Sequence, residues 1–234
     1  MAYKHFTSPH FGEFTVYKRK GARSLRLSIT GKGEVRVSQP TWLPFTAGVE
    51  FAAGKAAWIA QHRNTTAKPN LYDGQRIGKG YYLRFITADT NAIKTRLLGN
   101  EAIVYVPASI NEDAAAAQQA ATKVAERALK KECEILLFAR LRELAAEHDF
   151  TYKTVSAKKL SGRWGSCSNQ QHITLNIFLL ELPWQLIDYV LLHELVHTRH
   201  LHHGADFWAT FEYCEPNAKQ LRKQIRTHQP AIGG

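Results

Sequence analysis

No stretch of the 234-residue chain reaches the roughly 18 to 20 uninterrupted apolar residues that a membrane span requires. The opening MAYKHFTSPHFGEFTVYKRKG carries charged and polar residues where a secretion signal needs an apolar run, so no membrane association is expected and the chain is predicted to be cytoplasmic. Cysteine is scarce: Cys133, Cys167 and Cys214 are odd in number, far apart and in no C-x-x-C pair, which argues against a disulfide framework and against an all-cysteine zinc site. A reducing compartment fits this usage. There is no internal repeat, no low-complexity tract beyond the run Ala114 to Ala117, and no G-x-x-x-x-G-K-[ST] phosphate loop. The remainder is 44% hydrophobic and 11% aromatic, ample for a packed core in one large domain or two small ones.

Acidic residues are the other shortage. The net charge of +11 is unevenly placed: residues 1–106 hold 16 Lys and Arg against 6 Asp and Glu, while residues 107–234 hold 15 against 14. A field of that sign in the first half favours polyanionic partners, whether nucleic acid, nucleotide phosphates or acidic protein segments; the blander reading is a solvated basic surface that aids solubility.

Hydrophobic periodicity divides the chain in the same place. Leu25, Leu27 and Ile29 alternate with Arg26 and Ser28, and after Gly31-Lys32-Gly33 come Val35 and Val37 with Arg36 between, which predicts a hairpin within Phe14 to Val37. A helix is expected from about Ala47 to His62 and a loop from Asn64 to Asn70, closed by Pro69. Strands are expected at Tyr81 to Thr87, Ile93 to Leu98 and Ala102 to Val106. Beyond Pro107, Asn111 to Asp149 reads as one long helix or two successive ones. A strand follows at Tyr152 to Ala157, then a turn at RWGSCS (163–168), a strand at His172 to Asn176, and helices around 183–199 and 204–215. The fold class is α+β: a basic, mostly antiparallel β N-terminal region (1–106) followed by a helical region (107–234).

The chemistry concentrates in HELVH, residues 193–197. Pro183 suits the first turn of a helix, and WQLIDYVLLHELVH then runs on without a breaker. On a helical wheel His193, Glu194 and His197 fall within an arc of about 100°, and apolar residues cover nearly all the rest. Three titratable groups on an apolar helix carry a desolvation cost of several kcal/mol or more unless a partner satisfies them, and a divalent cation does so. Imidazoles at i and i+4 can share one zinc, with a third protein ligand and an open position for water. The third ligand is sought in TRHLHHGADFW: His203 first, at the foot of a new helix, then His200, then His202. Glu194 would serve as general base.

RWGSCS, ITLN (173–176), LP (182–183), YVLLHELVH and HGADFW together closely resemble the YgjP-like metallopeptidase family, relatives of the zincins and of SprT-like proteases. The earlier KRKGARSLRLSITGKGEVRVSQP, Trp58-Ile59 and YDGQRIGKGYYLRF resemble it too, so the likeness runs from about Phe14 to the final helix. It implies a zincin-like metal-binding half, zinc held by His193, His197 and His203, and Glu194 as base. The ligand spacing also equals that of metzincins, but His200 stands where those enzymes have glycine, and with Met1 the only methionine a Met-turn is impossible. Arg163, Trp164 and Asn176 are candidates for touching substrate or supporting the site, Arg163 by steadying an oxyanion or phosphate or simply as half of a structural salt bridge. The strand 172–176 is the candidate edge for an extended substrate. Cys167 lacks any local activating base, which disfavours it as a nucleophile.

The expected activity is zinc-dependent peptide hydrolysis on a polypeptide substrate. One alternative is a metal-dependent nucleoside triphosphate pyrophosphatase, since a UTP pyrophosphatase label is attached to some members of the family. A second is a nucleic-acid-associated module with a structural metal, in which aromatics among basic residues (Tyr17-Lys18-Arg19-Lys20, Tyr81-Tyr82-Leu83-Arg84) stack on bases.

Overall fold

A computed structural model describes residues 2–30, 33–63, 70–228, 230 and 232. The expected turn at Gly31-Lys32 and the loop Asn64 to Pro69 lie outside the described residues. The chain divides into two compact units, Met1–Pro69 and Asn70–Gly234.

In the first unit, β1 (Tyr3–Ser8), β2 (Gly12–Arg19), β3 (Arg26–Ile29) and β4 (Val35–Pro40) form a sheet in the order β1-β2-β4-β3. The predicted hairpin is β3 against β4, antiparallel, while β2 and β4 run parallel. Period-two burial turns Phe14, Val16, Val35 and Val37 inward, where they form one cluster with Phe11, Ala52 and Ile59. The single helix expected over 47–62 is two, α1 (Phe45–Ala53) and α2 (Ala56–Arg63), which part at Gly54-Lys55, where the Lys55 N–H turns back to the Ala52 carbonyl at 3.0 Å. At Gly48 a Cβ would lie 2.4 Å from Gln39 Oε1 and 2.6 Å from Val16 Cγ1, so glycine is what lets α1 lie directly on the sheet. Buried Gln39 donates through Nε2 to the carbonyls of Leu43 and Pro44, both at 3.0 Å, fixing the turn into α1.

The second unit begins with β5 (Arg76–Ile77), β6 (Tyr81–Ala88), β7 (Lys94–Leu98) and β8 (Glu101–Pro107) in the order β5-β6-β8-β7. This repeats the first sheet's arrangement, with a parallel central pair flanked by antiparallel ones. The chain thus carries a repeat of topology that its residues do not display. Antiparallel pairings outnumber parallel ones in both sheets, as expected for the β-rich part of this α+β fold.

One helix, α3 (Ala115–Glu147), spans the region for which two were allowed. Its small stripe Ala117, Ala121, Val124, Ala125 and Ala128 is buried in the same core as Leu83, Ala102, Val104 and Val106 of the sheet. This packing draws β5–β8 into the second unit, which begins at Asn70. No helix of the described residues is long and apolar enough to cross a membrane.

The rest of α3 supports a second sheet and the last helices. β9 (Thr154–Lys158), β10 (Gly165–Cys167) and β11 (His172–Asn176) are ordered β10-β11-β9. RWGSCS is therefore not a simple turn: its centre is strand β10, antiparallel to β11. Nor is 172–176 an edge, because β11 is flanked by β10 on one side and by parallel β9 on the other. A 3₁₀ turn (Ile177–Glu181) leads into α4 (Trp184–Val196), followed by α5 (Ala205–Cys214) and α6 (Ala218–Ile225). α4 is pinned to α3 by a two-point ion pair, Arg140 Nε and Nη2 to the two Asp188 oxygens at 3.0 Å each.

Candidate metal centre

α4 is buried over most of its surface, Leu186, Ile187, Val190, Leu191, Leu192, Leu195 and Val196 all lying in the core. Its last turn turns His193 and Glu194 to one side, and His197 closes the helix, its N–H donating to the His193 carbonyl at 3.2 Å. The chain then reverses through 198–204, and Gly204 starts α5. The reversal carries His203 back over the helix end.

Three imidazole nitrogens meet there. His203 Nε2 lies 3.0 Å from His193 Nε2 and 3.1 Å from His197 Nε2. Nitrogens bound tetrahedrally at about 2.0 to 2.1 Å would stand about 3.3 Å apart, so this spacing is that of a shared divalent ion. His197 Nδ1 lies 3.0 Å from the His200 carbonyl, which can only accept; Nδ1 therefore carries the proton, and a neutral ring presents a bare lone pair at Nε2. All three rings are held below the ordinary imidazole pKa, each first by burial, with the neighbouring histidines adding to this at His193 and His197 and the Arg222 charge adding to it at His203; His193 is lowered to about 3. Uncharged imidazoles with converging lone pairs are a donor set that fits a divalent cation. Among the described residues, this is the only group of three or more His, Cys, Asp or Glu placed to hold one.

The other two histidines of the loop do not join. His200 turns its Nε2 to Thr210 Oγ1 at 3.1 Å, and His202 is exposed. Of the three candidates for the third position, the fold brings only His203 to the other pair.

Phe207, fully buried, lies beneath the cluster, with ring centroids 4.7 Å from His197, 4.7 Å from His203 and 5.0 Å from His193. It sits within HGADFW, yet its role depends on α5 folding back, which no local pattern reveals.

Glu194 is 4% exposed, and its Oε2 has no hydrogen-bond partner. Burial pushes its carboxyl up to about 8, against the pull of the Arg163 charge. Its neighbour is β10. A Cβ added at Gly165 would lie 2.7 Å from Glu194 Oε1, 2.8 Å from Cγ and 3.0 Å from Cδ, so glycine is the residue that lets the strand reach this carboxylate. Gly165 was not among the residues singled out from the sequence, although it stands inside RWGSC.

Arg163 is exposed and in no salt bridge among the described residues, and its charge is felt at Glu194. Trp164 is half-buried against the core and its carbonyl accepts from the Asn176 N–H at 2.9 Å. Asn176 is 2% exposed; its Nδ2 donates to the carbonyls of Leu160 (3.0 Å) and Arg163 (2.8 Å), and its Oδ1 accepts from the Phe178 N–H at 3.3 Å. Its amide is thereby committed to holding the segment that carries Arg163, Trp164 and Gly165. The Cys167 thiol is pushed up to about 11 by burial and by Glu194, the opposite of an activated nucleophile.

No curated protein matches the chain. Among solved structures, the metallopeptidase zymogen of Pyrococcus abyssi abylysin is similar at 26% identity over 37% of this chain and 89% of its own, with a TM-score of 0.35. The metallopeptidase zymogen of Methanocaldococcus jannaschii jannalysin is similar at 19% identity over the same shares, with a TM-score of 0.33. The model of the YgjP-like metallopeptidase domain matches residues 23–228. With a family match over most of its length and a histidine trio suited to a divalent ion, the chain is a metal-dependent, peptidase-like hydrolase and belongs to the YgjP-like family.

Proposed function

We propose that the chain is a zinc-dependent peptidase in which His193, His197 and His203 hold the metal and Glu194 is the general base. The observation that carries this reading is the meeting of three Nε2 atoms at the end of α4, beside a buried carboxylate whose Oε2 lacks a partner. Zinc bound by three imidazoles would polarise a scissile carbonyl and acidify a water. Glu194 would take a proton in this site and return it to the leaving amine. A carboxyl pushed up to about 8 is a strong enough base to hold that proton between the two transfers, and a nearby cation would bring it down toward working pH.

An extended polypeptide suits the flanking strand. β10 ends its sheet, and its outer side can add main-chain hydrogen bonds beside Glu194. Arg163, just ahead of β10 and with its charge felt at Glu194, would meet negative charge developing on a substrate oxygen.

The test compares zinc-loaded wild type with Glu194→Gln, each incubated with a mixture of unfolded protein and UTP and read by mass spectrometry. New peptide termini made by wild type and not by the variant, with equal zinc content in both, are the expected result. Turnover retained in Glu194→Gln would remove Glu194 as base, and nucleoside monophosphate formed in place of peptides would replace the peptidase reading with the pyrophosphatase.

A further inference from the structure

None of the residues assigned to the chemistry above belongs to the first unit, yet that unit holds most of the chain's net charge. Residues 1–69 contain 11 Lys and Arg against three Asp and Glu, a net +8 out of +11. Strand register arranges part of this charge on one face. With Phe14, Val16, Val35 and Val37 turned to the core, the alternate positions form two rows across all four strands on the opposite side. One row is Tyr3, Tyr17, Ser38 and Arg26; the next is His5, Thr15, Arg36 and Ser28. All eight are exposed or half-buried, Tyr3 at 55% exposure.

The rows have an aromatic half and a basic half. Tyr3 and Tyr17 lie side by side, ring centroids 5.6 Å apart and inclined by 33°, and Tyr3 meets His5 edge-on at 5.5 Å. Arg36 lies 5.9 Å from the Tyr17 ring, Arg26 ends the first row, and exposed Arg19 follows Tyr17 on the same side of β2. The acids keep to one end: Glu34 pairs with Arg36 at 2.8 Å, and Glu13 stands opposite Thr7, towards the start of β2. Positive charge therefore grows along β2 from Glu13 to Arg19.

We propose that this outer face of the β1–β4 sheet binds single-stranded nucleic acid, with bases stacked on Tyr3 and Tyr17 and phosphates met by Arg19, Arg26 and Arg36. Every base offers a π-face to an exposed tyrosine, and guanidinium groups a few ångströms away match the charge of the linking phosphates. A duplex hides its base faces, and reading its grooves takes an inserted helix or ribbon that a flat sheet face does not present. Binding here does not depend on the metal centre and is separable from peptidase activity.

Fluorescence anisotropy of the full-length protein with a labelled oligodeoxythymidylate of about 20 nucleotides tests it, beside a duplex of equal length and heparin as a charge-only competitor. The single strand is expected to bind more tightly than the duplex, with log affinity falling against log salt by about 0.7 per phosphate contact. Combined Tyr3→Ala and Tyr17→Ala should weaken binding about tenfold or more with that slope unchanged, while Tyr3→Phe and Tyr17→Phe should retain it, which separates loss of stacking from loss of folding. Arg26→Gln should lower the slope by about 0.7. No binding at about 50 mM salt, equal affinity for single strand and duplex, or wild-type affinity in the double alanine variant would each overturn the proposal.

Discussion

Gly165→Ala is the smallest change that tests the site at the point where the strand meets the carboxylate. The new methyl would stand 2.7 Å from Glu194 Oε1, with Cγ and Cδ at 2.8 and 3.0 Å. Ordinary contact begins near 3.4 Å, so β10 and Glu194 must separate by about 0.7 Å. β10 cannot withdraw freely, because its three residues are registered against Leu175, Thr174 and Ile173 of β11. Glu194 cannot withdraw along its helix, because α4 is buried on most sides and tied at Asp188. The carboxylate must therefore turn, at a packing cost of about 1 to 3 kcal/mol. A general base displaced by most of an ångström loses about 10- to 100-fold in turnover. The three atoms nearest the new methyl all belong to Glu194, so the first displacement falls on the base and zinc stoichiometry should hold. The assay is cleavage of a quenched fluorescent unfolded protein alongside metal content by mass spectrometry. Turnover within twofold of wild type would refute the idea that glycine is required here by Glu194, and loss of zinc together with activity would show that the strand supports the ligands as well.

Two further outcomes follow from the same geometry. His203→Ala should abolish retention of zinc through gel filtration, whereas His200→Ala, which keeps the carbonyl that accepts from His197 and loses only the Thr210 contact, should retain it within about tenfold in affinity; equal losses would contradict the ligand assignment. In chelator-treated protein, Glu194 titrates near 8 when folded and near 4.5 when unfolded, so the unfolded chain ionises first and folding stability falls as pH rises from 4.5 towards 8. Glu194→Gln removes that deficit and should raise stability in urea by up to about 3 kcal/mol at pH 7 and by little at pH 4, and a gain that does not depend on pH would argue against a buried, protonated carboxyl.

What could be read from residue order was what local periodicity controls. α4 showed itself as an apolar helix with one polar stripe, and that stripe contains two members of the histidine trio and Glu194. β3, β4, β6, β7 and β8 carried alternation or β-branched runs between turn residues. β1 did not: in YKHFTS only Ser8 is buried and Phe6 half-buried, so this end strand has almost no apolar signature. β10 is three residues long and half-buried throughout, too short for a period to register. The place of β11 in the middle of its sheet depends on parallel pairing with β9 across the whole RWGSCS segment, a non-local fact. Tertiary packing also gives the alanines of α3 a use that helix propensity does not reveal, as the surface that meets β6 and β8. The repeated strand order leaves no mark in residue order because the two sheets share connectivity and not residues.

The third histidine shows how far the centre depends on tertiary packing. His193 and His197 stand on a helix locked by burial and by Arg140, so their spacing is set before any ion arrives. His203 has no such frame of its own; it precedes α5 and is positioned by Phe207 beneath it and by Trp208, whose ring stacks at 5.9 Å and is itself covered by Arg222 at 4.7 Å. Its place is therefore inherited from α5, which is held against α4 by Phe207 and Phe211, both in contact with the His193 ring. A cation shared by the three nitrogens would cross-link the end of α4 to the start of α5, so metal affinity includes the free energy of docking α5. Loosening that helix should weaken the centre even when every ligand is intact, which makes the aromatic residues of HGADFW as much a part of the metal site as its histidine.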